Sequence, residues 1–291
     1  MLSQKKGKEK ARKYYEQEAS HYIEMYGDKY NEYPANLIRI NFILKRLHQN
    51  NIRSVFDVGC GTCSPMIKIL KNKIKCKGID FSQEMIKEGR INLLKAGFDS
   101  NLISFGDLES NCFLTKEKFD AIIALGVFPH IINEKKALRN IRKTLKKKGK
   151  IFIEFRNDLF STFSLNNYSL DFFLNRIIDT EILPKWLLKE VLNFYSNRLK
   201  SDIGISKKDN KILFTDILAK FKNPLTIEKE IFNPCGFTVD KIHFYHYHAL
   251  PPIFEQKHPE LFRKLSRRLE KTEDWKGYFL ASAFVIEATK K

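Results

Sequence analysis

Ser54-Val55-Phe56-Asp57-Val58-Gly59-Cys60-Gly61-Thr62-Cys63-Ser64 decides how this chain reads. Its first five residues are a short apolar run of strand type, ending in a carboxylate two positions before a Gly-x-Gly turn. Glycine lets a backbone turn sharply and approach a ligand closely, and the helix that follows offers free N–H groups at its start. A dinucleotide fingerprint would need glycine where Ser64 stands, and a phosphate loop would need a Gly-Lys-Ser/Thr that is missing. The acid at Asp57 suits a cofactor carrying a cation, not a pyrophosphate.

Working outward, residues 1–30 read as a helical lead-in, with Tyr14, Tyr15, Ala19, Tyr22 and Tyr26 at helix-like spacing. Residues 36–48 form a second helix. After the first strand come a helix at 64–71, a strand at 76–79, a helix at 82–96 with Ser82 as N-cap, and strands at 102–105 and 119–125. A helix over 133–147 should end at Lys146-Lys147-Lys148-Gly149-Lys150, whose charges complement its dipole, and a fifth strand covers 151–155. Repeated strand–helix units predict a mainly parallel sheet covered on both faces. The stretch 157–223 is aromatic and helix-forming with no clear strand, and reads as a helical insertion. A strand from Gly236 towards Tyr247 and a last one over 279–286 close the chain. Pro251-Pro252 and a basic amphipathic helix (259–271) lie between them.

Two further acids fall at strand ends. Asp80 follows the second strand, where a carboxylate can accept from both ribose hydroxyls. Asp107 follows the third, where it can accept from an adenine amino group. One strand-end aspartate is more simply a helix cap. Three at successive parallel strands, with a glycine turn at the first, are not.

With these residues the chain resembles the class I S-adenosylmethionine-dependent methyltransferases. Asp57, Gly59 and Gly61 match the family's first motif, and Cys63 replaces its third glycine. Gly78-Ile79-Asp80-Phe81-Ser82-Gln83-Glu84-Met85 resembles the second. The resemblance implies that Asp80 holds the ribose while Phe81 and Met85 border the adenine. Gly106-Asp107-Leu108 is similar to the adenine-contacting motif, and Phe119 to His130 to the fourth-strand motif that puts Leu125 near the methyl group. Cys60 joins the cofactor-binding loop by the same resemblance. Tyr15 and Tyr22 resemble part of a helical lid that members fold over the cofactor. The resemblance implies a Rossmann-like α/β fold: a mainly parallel seven-stranded sheet with an antiparallel last strand. Its parts are a helical lid (1–50), a cofactor-binding domain (51–156 and 225–291) and an insertion after the fifth strand (157–224) that covers the substrate.

The chain has 291 residues, 43% hydrophobic and 30% charged, enough for one large α/β domain with insertions. Residues 1–13 are polar and lysine-rich with no apolar run behind them, and the longest apolar stretch, 121–129, is too short to span a bilayer. The expected location is the cytoplasm. Five cysteines are irregularly spaced, and the lone Cys60-x-x-Cys63 lacks the second pair that a structural zinc site needs. No metal is expected. The net charge of +18 would suit phosphates, but the basic residues are scattered in runs near 5–13, 143–150, 207–211 and 263–271, which reads as a solvated surface.

Methyl transfer is an in-line displacement, so the protein positions the acceptor and removes its proton. His130, directly after the fourth strand, is the first choice of catalytic base, and His248 the second; the alternative for His130 is a cap on the next helix. Arg156, Asp158 and His246 are the candidate substrate-binding residues, with Glu154 or Asp158 as an alternative ion-pair partner of Arg156. The segments 155–173 and 245–252 resemble bacterial methyltransferases of surface-glycan and nucleotide-sugar pathways. The expected acceptor is therefore a polar, anionic small molecule, a sugar or a nucleotide-linked or phosphorylated sugar. Base-amine methyltransferases carry an Asn/Asp-Pro-Pro-Tyr/Phe segment after the fourth strand; here that position reads Gly126-Val127-Phe128-Pro129. A nucleic-acid methyltransferase, a small-molecule N-methyltransferase and a non-catalytic cofactor-binding partner are the remaining alternatives.

Overall fold

Strand-forming apolar runs separated by helices build the sheet in this computed structural model, which describes residues 2–20, 22, 33–110, 117–199 and 220–291. Tyr26 of the expected lead-in helix and the basic run 207–211 lie outside the described residues. In chain order the elements begin with α1 (Leu2–Glu18), α2 (Ala35–Gln49), β1 (Ser54–Val58), α3 (Ser64–Lys71), β2 (Lys75–Asp80) and α4 (Gln83–Lys95). Then come β3 (Ile103–Phe105), β4 (Phe119–Ala124), α5 (Glu134–Thr144) and β5 (Leu145–Asn157). The insertion contributes α6 (Ser161–Ser164), α7 (Asn167–Phe172), α8 (Lys185–Arg198) and β6 (Phe221–Lys222). The chain closes with β7 (Phe237–Tyr247), α9 (Ile253–Lys257), α10 (Pro259–Leu269), α11 (Gly277–Leu280) and β8 (Ala281–Lys290).

The strands order as β3-β2-β1-β4-β5-β8-β7, with β6 paired to β5 off this path. β1 to β5 are mutually parallel, and β8 runs antiparallel between β5 and β7. Period-2 alternation sorts the side chains. Phe56, Val58, Ile122, Ile153 and Phe155 fill one face with α5, while Val55, Ala121, Ile123 and Phe152 fill the other with α2 and α3. Ser82 caps α4 as expected, accepting from the Met85 backbone.

Two expectations need correction. The sheet has eight strands, because β5 outruns β4 and β6 pairs with its end at Arg156 and Asn157. Two residues are too few to show a strand period, so the pairing was invisible in sequence. The lysine run 146–150 does not end a helix. α5 stops at Thr144, its last turn carries Arg142 and Lys143, and the lysines begin β5. There a register shift opposite Phe119 and Ala121 accommodates Lys148 at φ +55°. Among the described residues, no helix is long and apolar enough to cross a membrane.

Candidate functional site

A cleft of about 670 Å³, partly open to solvent, lies at the carboxyl ends of the parallel strands. Open α/β sheets bind ligands at this edge, where the helices that follow the strands begin. Gly59 and Gly61 form its floor, both at positive φ. A Cβ on Gly59 would come within 2.3 Å of Val127, so this glycine is needed for its conformation and for the close approach of the loop after β4. Cys63, in place of a third glycine, still adopts φ +68° at the start of α3. It is a buried free thiol, as is Cys60, and its Sγ donates to the Gly61 carbonyl within the turn.

Asp80 accepts backbone N–H bonds from Gly61 and Ser82, each at 2.9 Å, which ties the glycine turn to the end of β2. Burial pushes its pKa up to about 6, against the pull of those bonds. Asp57 is 1% exposed, and its Oδ2 has no hydrogen-bond partner. Burial and the neighbouring Asp80 push it up to about 7, although Arg39 opposes them. Phe81, Met85, Gly106, Asp107, Leu108 and Leu125 also line the cleft, as do Tyr15 and Tyr22. Asp57 and Cys60 stand behind its wall.

α1 lies across this opening. It packs on α4 and on the turn Phe128–His130. The Tyr15 hydroxyl and His130 Nε2 are hydrogen-bonded at 3.2 Å. His130 lines the cleft and does not cap α5; Asn133 does, accepting from the Lys136 backbone. Burial and the charge of Arg156 lower the His130 pKa to about 4, with Glu154 opposing, so its imidazole is neutral at physiological pH. At the other end of the cleft, Lys8 Nζ bonds Asp107 Oδ2 at 2.8 Å and Glu109 at 2.7 Å.

Deeper on the α2 face, a buried polar group joins β5 to β7. Glu154 forms an ion pair with Arg39 of α2, and both are almost fully buried. Burial would raise the Glu154 pKa, but Arg39 and Arg156 beside it hold it below the usual range. His246 stacks on Tyr33 at 5.0 Å and lies 4.8 Å from His248. It does so in a left-handed conformation, φ +59°, that non-glycine residues seldom adopt. His248 is 5% exposed, and neither ring nitrogen has a hydrogen-bond partner. Burial and Arg156 lower its pKa to about 3. Asp158 is turned elsewhere, towards Arg176 at 3.8 Å. Among the described residues, no three potential metal ligands come together.

Comparison with known proteins decides the family. Residues 50–195, half of the chain, match the family described as "Methyltransferase domain". The chain belongs to the methyltransferase-domain family. It is 23% identical over 177 residues to a ubiquinone biosynthesis O-methyltransferase of Aliivibrio fischeri, covering 61% of this chain and 71% of that one. A protein of the same description from Nitrosomonas europaea is 22% identical over 194 residues, covering 66% of this chain and 77% of that one. Among solved structures, magnesium protoporphyrin IX methyltransferase from Synechocystis PCC 6803, crystallised with SAH, superposes with a TM-score of 0.56 at 14% identity. The match covers 98% of this chain and 100% of that one. At that identity the likeness establishes the class I Rossmann-like fold.

The methyltransferase uses S-adenosylmethionine, and its cleft fits that cofactor on its own terms. An orphaned carboxylate oxygen at Asp57 beside a second buried acid favours a cationic ligand, and the glycine floor admits close backbone approach. When bound, the cofactor supplies an electrophilic sulfonium methyl group. Lys8 and Arg39 were not singled out from sequence. Lys8 carried a usable signal, because Lys8, Ala11 and Tyr15 fall on one helical stripe. Arg39 was legible only as a charge within the apolar face of α2.

Proposed function

We propose that this methyltransferase O-methylates a discrete polar small molecule at the end of the cleft marked by His130, with that histidine as general base. One observation carries the reading: a neutral, buried imidazole lies on the wall of the cleft floored by the glycine turn and Asp80. A neutral imidazole can accept a proton, and catalysis by a positioned base typically contributes ~10²–10⁴-fold. In the same proposal Asp80 holds the ribose, Asp107 faces the adenine, and Phe81 and Met85 border the ring. Asp57 acts from behind the glycine loop through its charge. The relatives' description as O-methyltransferases supports oxygen as the acceptor atom.

The finer reading is a sugar or nucleotide-linked sugar, held by Arg156 and His246 beneath the 157–224 insertion. Arg156 supports it, since its charge acts on His130, His246 and His248 alike. Asp158 is better placed to fix the insertion through Arg176 than to touch the acceptor. A second reading, a phenolic acceptor, has one observation in its favour. A base of pKa about 4 is weak, and a phenol gives up its proton more readily than a sugar hydroxyl.

The test is methyl transfer from labelled cofactor to separate pools of nucleotide sugars, sugar phosphates, catechols and bulk RNA. Incorporation into the first two pools is expected. Transfer to catechols alone would replace the sugar by a phenol, and robust transfer to RNA would overturn the small-molecule reading.

A further inference from the structure

We infer that Lys8 is a positioning residue that couples the adenine end of the cleft to the loop carrying His130. The inference rests on the proposal that adenine lies beside Asp107. Lys8 reaches both carboxylate oxygens of Asp107, at 2.9 and 2.8 Å, and Glu109 at 2.7 Å. Glu109 in turn accepts the backbone N–H groups of Ile132 and Asn133, at 3.1 and 2.6 Å. Those residues lie two and three positions beyond His130, just past the end of its turn. One ammonium therefore joins α1, the loop after β3 and the loop after β4.

The same helix makes a second contact with the second loop. Tyr15 lies two helical turns beyond Lys8, roughly 10 Å along the axis, and bonds His130 itself. Between them Ala11 is fully buried, small enough to let the helix sit close. His130 is thus held by Tyr15 from one side and by Glu109 through the backbone from the other, and Lys8 lies on both routes. An ionised carboxylate has about four acceptor sites, so Asp107 can keep Lys8 while accepting from an adenine amino group. Cofactor bound at Asp107 then meets a carboxylate already fixed by the helix. Its departure requires that helix to move, and the Tyr15–His130 contact to move with it.

Lys8 is 17% exposed at its side chain, and its partners Glu109 and Asp107 are 11% and 37% exposed. Solvent screening is therefore only partial at Glu109 and greater at Asp107. Two charge-assisted hydrogen-bonding partners make the loss of Lys8 worth about tenfold in cofactor retention.

The experiment uses the full chain loaded with tritiated S-adenosylhomocysteine, chased with unlabelled ligand, together with NMR titration of His130 in histidine-labelled protein. Lys8→Met should release the ligand about tenfold faster, and more so at low ionic strength, where the wild-type ion pairs are strongest. Its His130 pKa should rise towards the ordinary value as α1 loosens. Lys8→Arg should keep the wild-type release rate and His130 titration. An unchanged melting midpoint for unliganded Lys8→Met shows that the variant is folded. Wild-type release from Lys8→Met overturns the inference, and so does faster release with an unshifted His130, since that leaves nothing coupled. Asp80→Ala in the same assay separates the two levels. If it retains the ligand like wild type, the cofactor placement itself fails; if it loses the ligand while Lys8→Met does not, only the coupling fails.

Discussion

The Tyr15 hydroxyl lies 3.2 Å from Nε2 of His130, a hydrogen bond between the first helix of the chain and the turn after β4. Burial raises the Tyr15 pKa well above the usual phenol range and lowers that of His130 to about 4, so both partners are neutral at physiological pH. When Nε2 carries the ring proton it donates to the Tyr15 oxygen, which leaves the Nδ1 lone pair free to act as the base. His130→Asn should lower kcat by roughly 10²–10⁴-fold with cofactor affinity unchanged. Tyr15→Phe should cost about tenfold, the scale of one neutral hydrogen bond. Steady-state kinetics and calorimetry on both variants are the check, and an unaltered kcat in His130→Asn removes the base.

The low His130 pKa also fixes a pH profile. A base must be unprotonated to work, so the acid limb of kcat should fall near pH 4 and not near the ordinary 6.5. Between about pH 5.5 and 7.5 kcat should not track histidine titration at all. A limb centred near 6.5 would mean that another histidine, or an unseated α1, sets the rate.

Asp57 gives the opposite sign in stability. Its folded pKa, about 7, lies above its unfolded value, so the folded chain holds the extra proton between about pH 4 and 7. Stability therefore falls as pH rises through that window. His130 and His248, with depressed folded values, contribute stability that is lost as pH falls below about 6.5. The two effects partly cancel in the wild type. Asp57→Asn should isolate one of them, raising the melting midpoint of the unliganded protein at pH 7.5 by a few degrees, on the order of 1–2 kcal/mol, and by clearly less near pH 5, where the linkage penalty has only begun to build. An equal shift at both pH values would rule out titration of Asp57 as the cause.

His248 offers a separate test of the acceptor region. Its two unpartnered nitrogens sit among Phe160 at 4.7 Å and Phe262 at 5.4 Å. A phenylalanine there removes the unsatisfied polar atoms, so His248→Phe should be neutral or stabilising by about 1 kcal/mol in a denaturant titration. If His248 contacts the acceptor, the same variant should raise KM for it about tenfold or more without altering cofactor affinity. Unchanged KM would leave the imidazole a core residue.

Where the governing interactions are local, the residues alone were enough. The glycine turn after β1, the acids at the ends of β1, β2 and β3, the Ser82 cap and the parallel order of β1 to β5 follow from hydrophobic period, turn chemistry and capping, each set by residues a few positions apart. That Gly59, Asp80 and His130 share a cleft follows from the fold type, since parallel strands bring their carboxyl ends to one edge. Tertiary structure decided the pairings of charges. Lys8 meets Asp107 across 99 positions, Arg39 meets Glu154 across 115, and Asp158 faces Arg176. Nothing in a side chain's type says which of 52 lysines and arginines it will face, because any of them satisfies a carboxylate equally well until packing fixes the distance. The left-handed turn at His246 and the two-residue strand β6 belong to the same class, since each is held by contacts from elsewhere in the chain and has no local preference strong enough to announce it.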